Sequence, residues 1–493
     1  MRRQSGLIVP LCSLVSQQGW GIGEFPDLAV FARWAAEAGQ SLIQILPINE
    51  MPPAERSPYS AMTAMAIDPI YLSLPRVPDF EGLGGELAMD LADQSALAAL
   101  RQSERIRYVG VRNLKEKWLR RSWDRFLRLE VARGTTRAAR FDRFCAAERW
   151  WIDDYAIFRS LHALHEEQRW QDWPAPLSQA DPAAVEEARR AMRGEMSYRS
   201  YLQWLAAEQW SEAKRLSWPT LIVGDLPFMI SADSPDVWTR QSEFYADATI
   251  GVPPDAFSDT GQDWGLPPWR WEVMAARNFD WMHARARRYA ALYDGFRIDH
   301  LVGLYRTYIR PVDKTVPAFF APGEETAQVT LGETLVEILR GSAAHVFGED
   351  LGVIPPFVRA SMARLSLPGL KVLRWERHYD RPDQPLIDPR EFPDLSVATT
   401  GSHDIAPLAA TDEGTSDAGR EAVLRSLLSA GSSLSLMLVQ DVFGWTDRIN
   451  TPAVVDDMNW TWRLPWPVNT WLDRDDTRAR AAWLRGVTRE AGR

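Results

Sequence analysis

With 493 residues, 46% hydrophobic and 25% charged, the chain can bury a large core, which excludes a disordered polypeptide. Its formal net charge of −10 argues against a nucleic-acid surface, because phosphate binding relies on clustered Lys and Arg; a neutral substrate fits better. The two cysteines, Cys12 and Cys145, stand far apart and suggest neither a disulfide framework nor a zinc knuckle.

The opening MRRQSGLIVPLCSLV imitates a secretory leader, but Pro10 interrupts its apolar run and no small-x-small cleavage site follows, so GLIVPL reads as a first strand. No run approaches the roughly 20 apolar residues of a membrane span, and the expected location is the cytoplasm. Seven further short, β-branched apolar runs follow, which makes eight candidate strands at 7–11, 42–46, 221–225, 296–299, 345–349, 370–374, 397–400 and 434–440. Helical patterns at 28–38, 281–293, 331–342 and 420–430 lie between them. Strand–helix alternation implies a parallel sheet, and eight strands are what a closed (β/α)8 TIM barrel requires. The expectation is a single catalytic α/β barrel domain over residues 1–493 with a largely helical subdomain, about 77–216, inserted in its N-terminal half. Within that insert 114–131, 140–167 and 197–216 read as helices, and the Pro- and Ala-rich 173–184 as an exposed connector.

Twenty-three tryptophans are spread along the chain, mostly for packing, though flat indole faces also suit pyranose rings. His162 and His165 share a helix face with no third ligand nearby and read as surface residues; no metal and no organic cofactor is expected.

Three strand ends carry carboxylates: Asp299 in GFRIDH, Glu349 in VFGEDLG and Asp404 in ATTGSHD. Period-two geometry puts Arg297 and Asp299 on one face of their strand, opposite Phe296 and Ile298. Arg-x-Asp alone is most often an internal salt bridge, and Ser-His-Asp can be a helix cap. The shared placement changes that reading, because each motif follows an apolar strand and precedes a loop containing Gly or Pro, where an α/β barrel carries its chemistry. A retaining glycosidase needs an ionised carboxylate to attack the anomeric carbon and a second carboxyl to protonate the leaving oxygen. The segment 251–265, with Pro253, Pro254, Asp255 and Trp264, is neither helical nor strand-like and reads as a lid over such a site.

These motifs, together with GLIVPLCSLVSQQGWGIGEF, AEAGQSLIQILPINE, SPYS, GDLPFMISADSPDVW, GVPPDAFSDTGQDWG and NWTWRLP in that order, resemble the 4-α-glucanotransferases called amylomaltases or disproportionating enzymes, family seventy-seven of the glycoside hydrolases. The resemblance spans nearly the whole chain. It implies that Asp299 is the nucleophile, Glu349 the general acid/base and Asp404 the transition-state stabiliser. Glu349 is then expected to have a raised pKa, and Asp299 to stay charged beside Arg297. The resemblance further implies that Tyr59 and His403 meet the sugar at the cleavage point, that Asp225 supports the site, and that Asp255 and Trp264 belong to a loop that excludes water. His300 is equally a sugar ligand or a supporting hydrogen-bonder. Leu301-Val302-Gly303 after RIDH, Ile405 after Asp404, and Leu266 after Trp264-Gly265 depart from the family pattern and bear on groove polarity. The implied reaction passes an α-1,4-glucan segment from one malto-oligosaccharide to the 4-hydroxyl of another. The alternatives are an α-1,4-glucan hydrolase using the same residues and an idle glucan-binding barrel, against which the three intact carboxylates argue.

Overall fold

A computed structural model describes residues 3–254, 261–343, 345–411, 416–452, 454 and 456–493. In chain order its strands are β1 (Gln4–Ile8), β2 (Leu42–Gln44), β3 (Leu221–Leu226), β4 (Ala248–Val252), β5 (Gln262–Asp263), β6 (Gly295–Ile298), β7 (Thr307–Pro311), β8 (Phe319–Ala321), β9 (His345–Gly348), β10 (Gly369–Val372), β11 (Ser396–Thr399) and β12 (Leu434–Leu438). Eight of them close a parallel barrel in the order β1-β12-β11-β10-β9-β6-β3-β2. They are the eight apolar runs, each displaced by no more than a few residues.

A strand buried on both faces has to be apolar outward and packed inward. In β6 the outward residues Phe296 and Ile298 are fully buried, and Phe296 meets Tyr289 of the covering helix Asp280–Leu292 at 5.7 Å between ring centroids. Arg297, between them, points inward. A Cβ on Gly295 would sit 2.1 Å from the His345 carbonyl oxygen of β9, so this close strand pairing admits only glycine there.

Between β2 and β3 the chain runs through the helices Leu91–Gln102, Tyr108–Phe126, Thr136–Leu164, Pro182–Ala191 and Arg193–Ser217. Their starts are readable: Asp90 accepts from Asp93 N–H, Thr135 from Ala138 N–H, and Asp181 from the N–H groups of Ala183 and Ala184. Arg193–Ser217 packs on both Thr136–Leu164 and the barrel helix Phe25–Glu37.

Two expectations are corrected. The 173–184 stretch is largely exposed as expected, but it carries the short helix Ala175–Ser178 and its first residue is not exposed. Trp173 is buried with Met62, Ile157, Phe158, Leu161 and Trp238 in a satellite apolar cluster, because a large indole gains more from burial than a linker does from exposure. Nor is 251–265 devoid of strands. Gly251 and Val252 of β4 pair antiparallel with β5, and β4 continues onto β7 and β8 in a four-stranded sheet. Backbone pairing of β4 with β5, and with β7, distant in sequence, overrides the Gly and Pro punctuation.

Candidate active site

Parallel strands all open at one end, so residues just beyond their C-termini converge however far apart they lie in sequence. Asp299 follows β6 directly, Glu349 follows β9 directly, and Asp404 lies on the loop after β11. Asp225 sits inside β3, fully buried, and Tyr59 is on the long connection after β2.

Arg297 is the hub. Its Nη1 lies 2.7 and 2.6 Å from the two oxygens of Asp225, while its Nη2 lies 3.0 Å from Asp299 Oδ1 and 2.5 Å from Glu349 Oε2. Only 4% of Arg297 is exposed, and burial of this depth strengthens each interaction. Asp299 and Glu349 touch one nitrogen, so Asp299 Oδ1 and Glu349 Oε2 lie at most about 5.5 Å apart, within the spacing of retaining glycosidases and short of the roughly 6.5–9.5 Å of inverting ones.

After Asp299 the backbone swings into the left-handed region at His300, φ 44°, a conformation a histidine adopts only when its surroundings enforce it. The turn directs the His300 N–H to Glu349 Oε2 at 3.0 Å. Glu349 therefore has two donors on one oxygen, whereas Asp299 shares a single, longer contact with a guanidinium already committed to Asp225. This reverses the expected protonation. Against burial, which would raise it, Arg297 and the His300 N–H hold the Glu349 carboxyl below its usual range; burial, with Glu349 and Asp225 adding to it, pushes Asp299 up to about 8. Coupled through one guanidinium nitrogen, the two carboxyls share a proton rather than titrating independently. Burial lowers His300 to about 4, so its ring is neutral.

The third carboxylate is held differently. His403 Nε2 lies 3.2 Å from Asp404 Oδ2, Asn450 Nδ2 donates to Asp404 Oδ1 at 2.6 Å, and Arg448 Nη2 donates to the Asp404 carbonyl at 2.7 Å. Burial opposes ionisation of Asp404, but His403 and Asn450 outweigh it and keep this carboxyl well below the usual range. Tyr59 stacks on His403, with centroids 4.7 Å and planes 23° apart, and its hydroxyl donates to Asp225 Oδ2 at 2.7 Å. Trp460 leans on both rings, at 5.8 Å from Tyr59 and 5.5 Å from His403. Trp264 meets His300 edge-on at 4.7 Å, and Phe228 touches the same ring at 5.4 Å.

Asp225, Arg297, Asp299, Glu349, His403, Asp404 and Tyr59 thus form one connected group, with Trp264 joined to it through His300. Asp255 lies outside the described residues. Asn450 and Arg448 escaped the sequence reading, since nothing in their spacing marks them, and Trp460 registered only within the NWTWRLP motif. His162 is a correction: it is not at the surface but 1% exposed, its Nδ1 2.6 Å from Glu167 and its Nε2 2.8 Å from Asp233. Two carboxylates, placed by the helix end and by the loop after β3, make its burial tolerable.

The family model described as 4-alpha-glucanotransferase matches residues 9–469. A 4-alpha-glucanotransferase of Synechocystis sp. is 31% identical, over 96% of this chain and 96% of its own length. One from Thermus thermophilus is 30% identical, over 94% of this chain and 95% of its own. Among solved structures, amylomaltase from Streptococcus agalactiae in complex with acarbose superposes with a TM-score of 0.83 at 24% identity, covering 100% of this chain and 99% of that one, a likeness of fold. From the matched length and the identity of these relatives, this chain belongs to the 4-alpha-glucanotransferase family, glycoside hydrolase family seventy-seven.

Proposed function

We propose that this 4-α-glucanotransferase works by retaining double displacement, with Asp299 as nucleophile, Glu349 as general acid and then base, and Asp404 as a fixed anion beside the developing oxocarbenium centre. The observation that carries this reading is the close approach of Asp299 and Glu349 on one guanidinium nitrogen, which leaves no room between them for the attacking water of an inverting enzyme. The pair already holds the single proton the first step needs. The incoming glycosidic oxygen favours its transfer to Glu349, which frees Asp299 to attack the anomeric carbon. Glu349 gives this proton to the glycosidic oxygen as its bond to the anomeric carbon breaks and the leaving chain departs; now a carboxylate, it takes a proton from the 4-hydroxyl of the acceptor, and that oxygen displaces Asp299.

Tyr59 and His403 border the same sugar, Asp225 steadies Arg297, and Trp264 with its hairpin shields the glycosyl-enzyme from water. Donors and acceptors are malto-oligosaccharides or longer α-1,4-glucans, and no metal or organic cofactor enters the chemistry. The proposed location is the cytoplasm, which two unpaired cysteines support. Among the described residues no helix is long and apolar enough to cross a membrane.

A hydrolase could use the same carboxylates, but the relatives are named as transferases. Incubation with maltotriose, followed by separation of products by size, tests the proposal. Transfer releases glucose together with a ladder of longer chains. Reducing ends that rise in step with substrate loss, without longer products, would establish hydrolysis instead.

A further inference from the structure

The hydrogen-bond inventory around His403 leaves it one protonation state. Tyr59 has a single hydroxyl proton, and its oxygen lies 2.7 Å from Asp225 Oδ2 and 3.2 Å from His403 Nδ1. Asp225 is fully buried and ion-paired through both oxygens with Arg297, so it accepts. The Tyr59 proton therefore goes to Asp225, and the Tyr59 oxygen has only lone pairs left for His403. Nδ1 must donate. On the far side of the ring Nε2 faces the Asp404 carboxylate at 3.2 Å, so it must donate as well. An imidazole that donates from both nitrogens is a cation.

We propose that Tyr59 is a positioning residue for His403: by spending its proton on Asp225 and offering only an oxygen lone pair to Nδ1, it obliges His403 to face Asp404 as an imidazolium. The site then contains an ordered chain, Arg297, Asp225, Tyr59, His403 and Asp404, in which cation and anion alternate around a neutral phenol. The imidazolium keeps Asp404 ionised and aimed, while Tyr59 transmits to it the anchoring of the buried Arg297–Asp225 pair. Burial and Arg297 oppose the cation; Asp404, Asp225 and, when ionised, Asp299 favour it, and the balance raises the His403 pKa. Tyr59 and Trp460 contribute ring faces, and the Asn450 N–H donates to the His403 carbonyl at 3.1 Å.

The proposal leans on the glucan-transfer reading only for its kinetic consequence, so its test begins without substrate. Histidine labelled with nitrogen-15 is followed by NMR across pH in the wild type and in Tyr59→Phe, the His403 signals being assigned by their loss in His403→Gln. The wild type should show both His403 nitrogens protonated at neutral pH. Phe keeps the stacked ring and removes the acceptor, and His403 should then titrate about one pH unit lower, a roughly tenfold fall in the imidazolium-to-imidazole ratio. The alkaline limb of kcat/KM on maltotriose should move down with it. Asp404→Asn, which weakens the other acceptor, should lower the same titration. A neutral His403 in the wild type at pH 7, or titration unchanged in Tyr59→Phe, would overturn the proposal even if transfer is vigorous. The predicted titration shift in a protein that lacks transfer would leave this inference standing and remove the functional one.

Discussion

Arg297→Lys keeps the positive charge and discards the geometry. One ammonium nitrogen cannot reach Asp225, on which Nη1 makes contacts of 2.7 and 2.6 Å, and also Asp299 and Glu349, which share Nη2 on the other side. If lysine stays with Asp225, two charge-assisted contacts are lost, each worth roughly 1.5–3 kcal/mol. Breaking a buried ion pair in this way costs about 3–5 kcal/mol. The orphaned carboxyls can escape by taking protons, an escape that becomes harder by about 1.4 kcal/mol for each pH unit above their pKa. The folded variant binds more protons than the folded wild type, whereas the unfolded chains bind the same number, so the stability difference must widen as pH rises. Urea unfolding at pH 5 and pH 8 measures this. The expected result is a loss near the upper figure at pH 8 and about half of it at pH 5, with Glu349 no longer held below its usual range and transfer largely abolished. A loss under about 1 kcal/mol, or one that does not depend on pH, would refute the argument that Arg297 balances this group of acids.

Asp299→Asn should nearly abolish turnover with the fold intact, and an activated glucosyl fluoride should leave no covalent sugar on it; near-wild-type transfer would reassign the nucleophile. Glu349→Gln should slow donors with poor leaving groups far more than activated ones, and azide should restore turnover of the accumulated intermediate; equal losses without azide rescue would make Glu349 structural. Trp264→Ala removes the indole that meets His300 edge-on, and an aromatic contact worth roughly 1 kcal/mol should raise hydrolysis relative to transfer severalfold. An unchanged ratio in a variant shown by circular dichroism to be folded would place the water barrier elsewhere.

The eight barrel strands and the three terminal carboxylates were legible in the sequence because they depend on local order. Apolar runs of β-branched residues make buried strands, period two puts Arg297 and Asp299 on one face, and parallel strands bring their C-terminal ends together whatever lies between. The caps at Asp90 and Asp181, by contrast, open helices that the sequence reading did not place, although each capping contact is local. Pairing between distant segments was not legible: β4 gains a second strand partner from β7, and Trp173 gains its burial from Trp238 and Met62. Protonation depended still more on the tertiary fold. Sequence places Asp299 beside Arg297 and expects it ionised. Only the assembled barrel shows that Arg297 is also held by Asp225 and Glu349, and that the His300 turn adds a second donor to Glu349 alone. A side chain's charge answers to the summed field of its neighbours and to the water it has lost, and both are properties of the folded arrangement rather than of the order of residues. Asn450 and Arg448 illustrate the same limit, since each acts on Asp404 through a contact that no spacing along the chain announces.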